Sequence, residues 1–233
     1  MITDNIQFVV TGYSSNVAQE AMENFAKDHV IFGTYNSNKP NIKNKNIHIS
    51  SLDLQNEDDV KNFIASIQDN LKKVVVVNFA AFKEDSLLAN QNLESWEMAF
   101  SINVSSNFLI AKYLLPIMLK NKWGRFIHIS SERAIRGSVG STAYSSSKAA
   151  LQGLSRSMAK EYARFGISSN VLSLGYFDSG LYRKLDESIK KEFIKGVPSK
   201  KLGAPDDIYH AINYLVLSNY TNGSIITIDR CME

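Results

Sequence analysis

Residues 6–18 read IQFVVTGYSSNVA, an apolar run that turns at one glycine into a polar segment. Ile6–Thr11 is short, continuous and rich in valine, which is typical of a strand buried on both faces of a parallel sheet. Gly12 permits a tight turn, and Ser14 and Ser15 are suited to cap a helix. A strand that turns into a helix is a ready site for a dinucleotide pyrophosphate, although a single glycine there is more often only a turn.

The same alternation of apolar runs and helical patterns continues along the chain. The strands predicted after Ile6–Thr11 are Val30–Tyr35, Ile47–Ser50, Val74–Asn78, Phe126–Ser130, Asn170–Leu174 and Ile225–Asp229. The predicted helices are Ala18–Lys27, Glu57–Asn70, Glu94–Leu119, Ala143–Phe165, Leu185–Lys195 and Pro205–Leu217. No linker or repeat divides residues 1–233. The pattern therefore predicts a single α/β domain, a Rossmann-like doubly wound parallel sheet of about seven strands with helices on both faces.

Two segments lie outside this alternation. Residues 36–46, rich in Asn and Lys, are predicted to form a loop after the second strand. Residues 175–201 form a longer excursion at the carboxyl end of a strand, which is where substrate lids lie in such sheets. Tyr176, Phe177 and Tyr182 would then shape the substrate pocket, although aromatic side chains serve equally as packing residues.

The composition limits the classes of function. Of the 233 residues 44% are hydrophobic and 21% charged, the net charge is +3, and no dense Lys/Arg block appears, so we expect no nucleic-acid partner. The apolar stretch at 108–119 is interrupted by Lys112 and Pro116 and is shorter than the roughly 20 residues of a membrane span, so we expect a buried helix and no membrane. The N-terminal residues lack secretory-signal features, and the single cysteine, Cys231, excludes an internal disulfide. Both features suit the cytoplasm.

No metal site is predicted. The four histidines have no metal-ligand spacing and accompany no cysteine cluster. His128 alternates with isoleucines on a predicted strand, which favours a packed position over a functional one.

A tyrosine and a lysine four residues apart give the strongest chemical signal. Tyr144 and Lys148 lie near the start of a predicted helix, where positions four apart share one face. A neighbouring ammonium favours the phenolate and lowers the tyrosine pKa from its usual value near 10. Ser131 lies just past the Phe126–Ser130 strand, where its hydroxyl would hold a substrate carbonyl beside Tyr144. In isolation such a pair is usually a chance surface pair.

The pair is not isolated, because the chain resembles the short-chain dehydrogenase/reductase family over nearly its full length. The matching residues occur in family order: Thr11-Gly12, Asp53, Asn78-Phe79-Ala80-Ala81, Asn103, Ile129-Ser130-Ser131, Tyr144, Lys148, Asn170-Val171, Leu174-Gly175, Ser179 and Gly203-Ala204-Pro205-Asp206-Asp207-Ile208. Within the family, residues 196–203 and 123–127 are most similar to 3-oxoacyl-[acyl-carrier-protein] reductases and related ketoreductases. This narrower match is much less specific.

The resemblance implies hydride transfer between a nicotinamide cofactor and a carbonyl or alcohol carbon. It assigns Tyr144 as general acid, Ser131 as the residue that holds the carbonyl oxygen, and Lys148 as the residue that lowers the tyrosine pKa and holds the nicotinamide ribose. Asn103 would hold a water that connects Lys148 to solvent. The implied cofactor-binding residues are Gly12, Ser14, Ser15, Asn16, Val17, Asn36, Asp53, Leu54, Asn78, Ala80, Tyr144, Lys148, Gly175, Phe177 and Ser179.

Several positions depart from the family pattern. Asn16 and Ala18 replace the later glycines of the turn, and asparagine is the best non-glycine residue for a positive φ. Phe79 and Ala81 stand where the family has asparagine and glycine, and would narrow the cleft beside the adenosine and ribose. Near the C-terminus, Arg230-Cys231 replaces a pair of glycines in a region that commonly packs at a subunit interface in the family. We expect altered rather than abolished cofactor binding.

The residues after the second predicted strand bear on the choice of cofactor. The residues after the second strand contain no acid but include Lys39, which favours NADP(H), with NAD(H) as the alternative. The substrate would be a small carbonyl or alcohol, with a carrier-protein-bound substrate as one possibility, and the family resemblance implies a homodimer or homotetramer. Glu132, Arg133 and Arg136 would line the substrate mouth or, as we favour, form a solvated loop. The alternatives are a non-catalytic nucleotide- or partner-binding protein and a dehydrogenase of a specialised pathway, such as that of a secondary metabolite or a sugar.

Overall fold

The computed structural model describes residues 5–183 and 185–231, and these contain a seven-stranded sheet. The strands are β1 (Gln7–Thr11), β2 (Val30–Tyr35), β3 (Ile47–Ser51), β4 (Val74–Asn78), β5 (Gly124–Ser131), β6 (Ile167–Leu174) and β7 (Ile225–Ile228). All neighbours pair in parallel in the order β3-β2-β1-β4-β5-β6-β7. The order reverses between β1 and β4, and in such sheets the ligand crevice lies at the carboxyl ends of the strands at this point. The predicted fold class is confirmed.

Helices cover both faces of the sheet. They are α1 (Asn16–Met22), α2 (Glu57–Ile67), α3 (Leu93–Phe100), α4 (Ser106–Asn121), α5 (Arg133–Arg136), α6 (Thr142–Tyr162), α7 (Gly180–Arg183), α8 (Glu187–Lys195) and α9 (Pro205–Leu217). The short α5 and α7 were not predicted, because four residues carry too little periodicity to be recognised. Residues 36–46 form a loop, as predicted.

The strand side chains alternate between two hydrophobic layers. Phe8 and Val10 pack in the layer formed with α1 and α9, whereas Val9 and Val76 pack in the layer formed with α2, α4 and α6. Because both faces are buried, the strands read as continuous apolar runs rather than as alternating ones.

The predicted helix Glu94–Leu119 is interrupted. A π-helical turn at Ser101–Ser105 separates α3 from α4 and contains the buried Asn103. Such a turn leaves no clear mark in the apolar periodicity, and π turns are frequently found at functional sites.

The helical segment Leu93–Asn121 is long and apolar enough, by length and composition, to cross a membrane. In the fold, 39% of its most apolar window is buried, and Ile110, Leu114 and Met118 pack in the core against the sheet. Phe108 on its outer side is 51% exposed.

Candidate active site

Two adjoining clefts run along the carboxyl ends of the strands. The first, here called the Tyr144 cleft, has a volume of about 390 Å³ and includes Ser131, Tyr144 and Lys148 in its walls. The second, here called the Asn36 cleft, has a volume of about 350 Å³ and includes Gly12 and Asn36 in its walls. Ala81 lines both, so the two clefts meet at the end of β4. Together they form one path between the predicted catalytic and nucleotide-binding residues.

Gly12 is required where β1 leaves the sheet. Its φ is +68°, and a Cβ added there would lie 2.5 Å from the backbone nitrogen of Ala80. Asn16 does not take the positive φ that we expected of it, because it is the first residue of α1 and Ser15 caps that helix by accepting from the Ala18 N–H. Ala18 is fully buried in the core, so its extra methyl group is accommodated.

Ser131 and Tyr144 place two hydroxyl groups together on the cleft wall. Ser131 is the last residue of β5 rather than the first beyond it, and Tyr144 lies in the first turn of α6. Burial raises the pKa of Tyr144 above its usual value, while a hydrogen bond with the Ser131 side chain opposes that shift. At neutral pH the Tyr144 phenol therefore holds its proton.

Lys148 lies behind the tyrosine and is 2% exposed. Its Nζ donates to the Ile129 carbonyl at 2.7 Å and lies 5.8 Å from the centroid of the Tyr144 ring. Burial lowers the pKa of Lys148 to about 8. We expected the lysine charge to lower the pKa of Tyr144; in the protein alone, burial is the largest influence on the phenol, and its pKa is raised.

Asn103 is fully buried beside the start of α6. Its Oδ1 accepts from the Phe82 N–H at 2.7 Å, and its Nδ2 donates to the Phe82 carbonyl at 3.0 Å and to Ser147 Oγ at 2.8 Å. The Ser147 hydroxyl in turn donates to the Tyr144 carbonyl at 2.8 Å. Asn103 thus links the chain after β4 to the helix that carries Tyr144 and Lys148.

We favoured a solvated loop for Glu132, Arg133 and Arg136; Arg136 is exposed as expected, whereas Glu132 and Arg133 are not. Glu132 is 6% exposed, and burial raises its pKa. Arg133 Nη1 donates to Ser141 Oγ at 2.7 Å, and that hydroxyl donates to Asp85 Oδ1 at 2.9 Å. These contacts fasten the start of α6 to the segment after β4. Sequence reasoning missed Asp85 and Ser141, since their partners are up to 56 residues away.

Most of the predicted cofactor residues lie on the cleft walls. The residues on the walls are Gly12, Ser14, Ser15, Val17, Asn36, Leu54, Ala80, Tyr144, Lys148, Gly175 and Phe177. Phe79 and Ala81 line the Tyr144 cleft, where the family pattern placed smaller or more polar residues.

The other four predicted cofactor residues form contacts within the protein. The Asp53 carboxylate accepts from the Gln55 N–H at 2.9 Å, between the wall residues Leu52 and Leu54. Asn78 accepts from the Thr11 hydroxyl at 3.3 Å, and its Nδ2 is buried without a partner. Asn16 packs against Gly180, and the Ser179 hydroxyl donates to Glu20 of α1.

The lid segment, residues 175–201, is attached to α1. It includes Lys184, which lies outside the described residues. The Ser179 hydroxyl donates to Glu20 Oε1 at 2.8 Å, and Arg183 binds both oxygens of the same carboxylate at 3.2 and 3.0 Å. Gly180 packs against Asn16, because a Cβ on this glycine would lie 3.1 Å from the Asn16 Cβ. Sequence reasoning missed Glu20, since nothing in the helix pattern distinguishes it from a solvated acid.

Among residues 5–183 and 185–231, no group of three or more His, Cys, Asp and Glu side chains is arranged to hold a metal ion.

Comparison with known proteins identifies the family. Residues 17–232 match the family model described as enoyl-(acyl carrier protein) reductase. The chain belongs to the short-chain dehydrogenase/reductase family. It is 31% identical over 185 residues to nodulation protein G of Azospirillum brasilense, an alignment that covers 78% of this chain and 75% of that protein.

Two further relatives of this chain are named as reductases. The 3-oxoacyl-[acyl-carrier-protein] reductase of Aquifex aeolicus is 27% identical over 223 residues, covering 95% of this chain and 85% of the relative. The acetoacetyl-CoA reductase of Allochromatium vinosum is 27% identical over 186 residues, covering 78% and 76%. The chain is therefore an oxidoreductase that acts on CH–OH or C=O groups, in a family that uses a nicotinamide cofactor. This is contrary to the alternative of a non-catalytic binding protein.

Proposed function

We propose that the protein reduces a ketone, of the 3-oxoacyl thioester class, to a secondary alcohol with NADP(H), or catalyses the reverse reaction. The observation that carries the proposal is the contact between the Ser131 and Tyr144 hydroxyls on the wall of a cleft, with Lys148 behind them. Two relatives named for 3-oxoacyl and acetoacetyl thioesters support the substrate class.

The two clefts fit a dinucleotide. Their path leads from Asn36 and Leu54 past Gly12 and Ala81 to Lys148. The wall of the Asn36 cleft contains no acidic residue among the described residues, so nothing there repels a 2′-phosphate. This favours NADP(H) over NAD(H), although Lys39 is exposed three residues beyond Asn36 and is not a wall residue. Asn36, Gly12, Ser14 and Lys148 would hold the cofactor, which supplies the hydride.

The proposed proton transfer follows from the state of Tyr144. In the reduction, Ser131 donates a hydrogen bond to the substrate carbonyl oxygen, and the Tyr144 phenol gives its proton to the oxygen as negative charge develops there. The raised pKa of Tyr144 keeps the phenol protonated at neutral pH, which is the state that a general acid needs. The Lys148 ammonium, 5.8 Å from the ring, then stabilises the phenolate that remains.

The proposed partners are a second copy of the chain and an acyl carrier. The family resemblance implies a dimer or tetramer, and Phe108 on α4 offers one exposed apolar side chain for such a contact. A carrier-bound substrate agrees with the name of the Aquifex relative. A ketone from a specialised pathway is the alternative substrate, and a comparison of rates on acetoacetyl-CoA and on simple cyclic ketones separates the two.

The direct test is replacement of the tyrosine. Tyr144→Phe removes only the acidic hydroxyl, and we expect the turnover of acetoacetyl-CoA with NADPH to fall about 10²- to 10⁴-fold, the usual contribution of a general acid. Binding of NADPH, followed by its fluorescence, should persist. Tyr162→Phe, at the other end of α6, is the matched control and should keep wild-type turnover. Unchanged turnover in Tyr144→Phe would overturn the proposal.

A further inference from the structure

The backbone carbonyl of Asn103 accepts a hydrogen bond from a side chain one turn further along the helix. Asn103 lies in the π turn between α3 and α4, where the regular helical hydrogen bonding is broken. The side-chain Nδ2 of Asn107 donates to the Asn103 carbonyl at 3.0 Å. Asn107 is 2% exposed, so this bond is shielded from water. A side chain on the next helical turn therefore holds the backbone of a proposed active-site residue.

His128 fixes the orientation of Asn107. Its Nδ1 lies 2.8 Å from Asn107 Oδ1. Since the amide nitrogen of Asn107 donates to the carbonyl of Asn103, the amide oxygen must accept, and the proton of the imidazole lies on Nδ1. Nε2 then accepts from the Ser169 hydroxyl at 3.1 Å. Burial, together with the charge of Lys148, lowers the pKa of His128 to about 4, so the ring is neutral at physiological pH.

These bonds form one directed chain across the core. It begins at Ser155 and Ser169, whose hydroxyls lie 3.0 Å apart, and passes through His128 and Asn107 to the Asn103 carbonyl. On its other side, Asn103 binds Ser147, which donates to the Tyr144 carbonyl. A shift of the π turn would therefore be passed to the first turn of α6.

We propose that Asn107 and His128 are positioning residues of the reduction, which hold the Asn103 backbone in its π turn and, through Ser147, set the place of Tyr144. The inference rests on the proposed function, because it takes Asn103 and Tyr144 as parts of the active site. A positioning role of Asn107 and His128 differs from a purely structural one in its effect on the chemical step. A purely structural pair would stabilise the fold and leave kcat unchanged.

Asn170 provides a matched control. It is 1% exposed, and its amide makes two bonds to the backbone, to the Thr221 carbonyl and from the Ser224 N–H. It is therefore a buried asparagine of similar bonding that lies in β6 and contacts neither Asn103 nor α6 in these bonds. Asn170→Ala should lower the stability of the fold, as Asn107→Ala does, but should not displace Tyr144.

The experiment measures acetoacetyl-CoA reduction with NADPH below the melting temperature of each variant. Asn107→Ala should lower kcat about 10- to 100-fold and leave KM for NADPH within about twofold, whereas Asn170→Ala should lower Tm and leave kcat unchanged. In combination with Asn103→Ala, the effect of Asn107→Ala on kcat should largely vanish, because both changes break the same link. The effect of Asn170→Ala should stay additive.

Further variants at Asn107 and His128 sharpen the test. Asn107→Asp is isosteric but has no N–H for the Asn103 carbonyl, so it should also lose kcat, and it serves if Asn107→Ala does not fold. His128→Gln keeps a donor for Asn107 and should recover part of the kcat that His128→Leu loses.

The outcomes separate the two proposals. If the wild type does not reduce the thioester, or if Tyr144→Phe is equally active, the proposed function fails. If the wild type depends on Tyr144 but Asn107→Ala and Asn107→Asp keep wild-type kcat, only the positioning role is overturned.

Discussion

Lys148 and Arg183 are both cations at the Tyr144 cleft or its lid, but the protein holds them differently. Lys148 is 2% exposed and donates to a β5 carbonyl. The side chain of Arg183 is 50% exposed and pairs with the Glu20 and Asp178 carboxylates. Buried hydrogen bonds define geometry closely, whereas exposed ion pairs are weak and are screened by salt. Lys148 is therefore held closely in place, whereas the attachment of residues 175–201 to α1 through Arg183 is weaker and sensitive to salt.

The largest effect on turnover is expected at Lys148, the buried cation. Lys148→Met should reduce turnover by at least about 10²-fold, because it removes a buried positive charge beside the Tyr144 ring that would stabilise the phenolate. In the wild type the pKa of Lys148 near 8 predicts that kcat/KM for reduction is steady near pH 7 and falls as the pH rises through about 8, when the ammonium loses its proton. A pH–rate profile from pH 6 to 10 measures this.

The Lys148→Met profile is the control, since it should lack the inflection near pH 8. A wild-type profile with no change between pH 7 and 9 would show that the buried ammonium does not act in the reaction.

A smaller effect is expected at the lid. Glu20→Gln weakens the link from α1 to Ser179 and Arg183, so we expect KM for NADPH to rise about three- to tenfold while kcat changes less than twofold. Added salt should raise the wild-type KM in the same direction. Steady-state kinetics at two salt concentrations check both.

Glu187→Gln is the matched control at the lid, because it breaks the ion pair with Lys190 inside α8 and does not touch α1. If both variants gave the same KM, the attachment of the lid to Glu20 would have no role in cofactor binding.

The smallest effect concerns the choice of cofactor. Asn36→Asp places a carboxylate on the wall of the Asn36 cleft, and its repulsion of a 2′-phosphate is about 1 kcal/mol in water at close range, or roughly fivefold in NADPH affinity. The ratio of the NADPH dissociation constant to the NADH dissociation constant should therefore rise by about this factor. Asn38→Asp, exposed and outside the wall residues, should leave the ratio unchanged. Equal ratios in both variants would place the ribose phosphate elsewhere.

The same contrast explains what could be predicted from the sequence. The apolar strands and the spacing of Tyr144 and Lys148 are local patterns, so the parallel sheet and the position of the helix followed from them. The family resemblance supplied the residues that line both clefts. The contacts of His128 and of Glu20 join segments 21 to 163 residues apart, and no local pattern reports such pairs.

The pKa of Tyr144 shows the same limit. The sequence places a lysine beside the tyrosine, but the burial that raises the pKa of the phenol depends on the packed cleft. The π turn at Asn103 was also missed, because its apolar residues continue the helical pattern on both sides.

The central claim is that hydride passes from the nicotinamide to a carbonyl carbon while Tyr144 supplies the proton. The most direct measurement uses NADPH with deuterium at both C4 positions, with acetoacetyl-CoA as substrate and mass spectrometry of the product. The account predicts a 3-hydroxyacyl thioester with one deuterium on the carbinol carbon, formed by the wild type and nearly absent with Tyr144→Phe. An unlabelled alcohol, or equal labelled product from Tyr144→Phe, would contradict it.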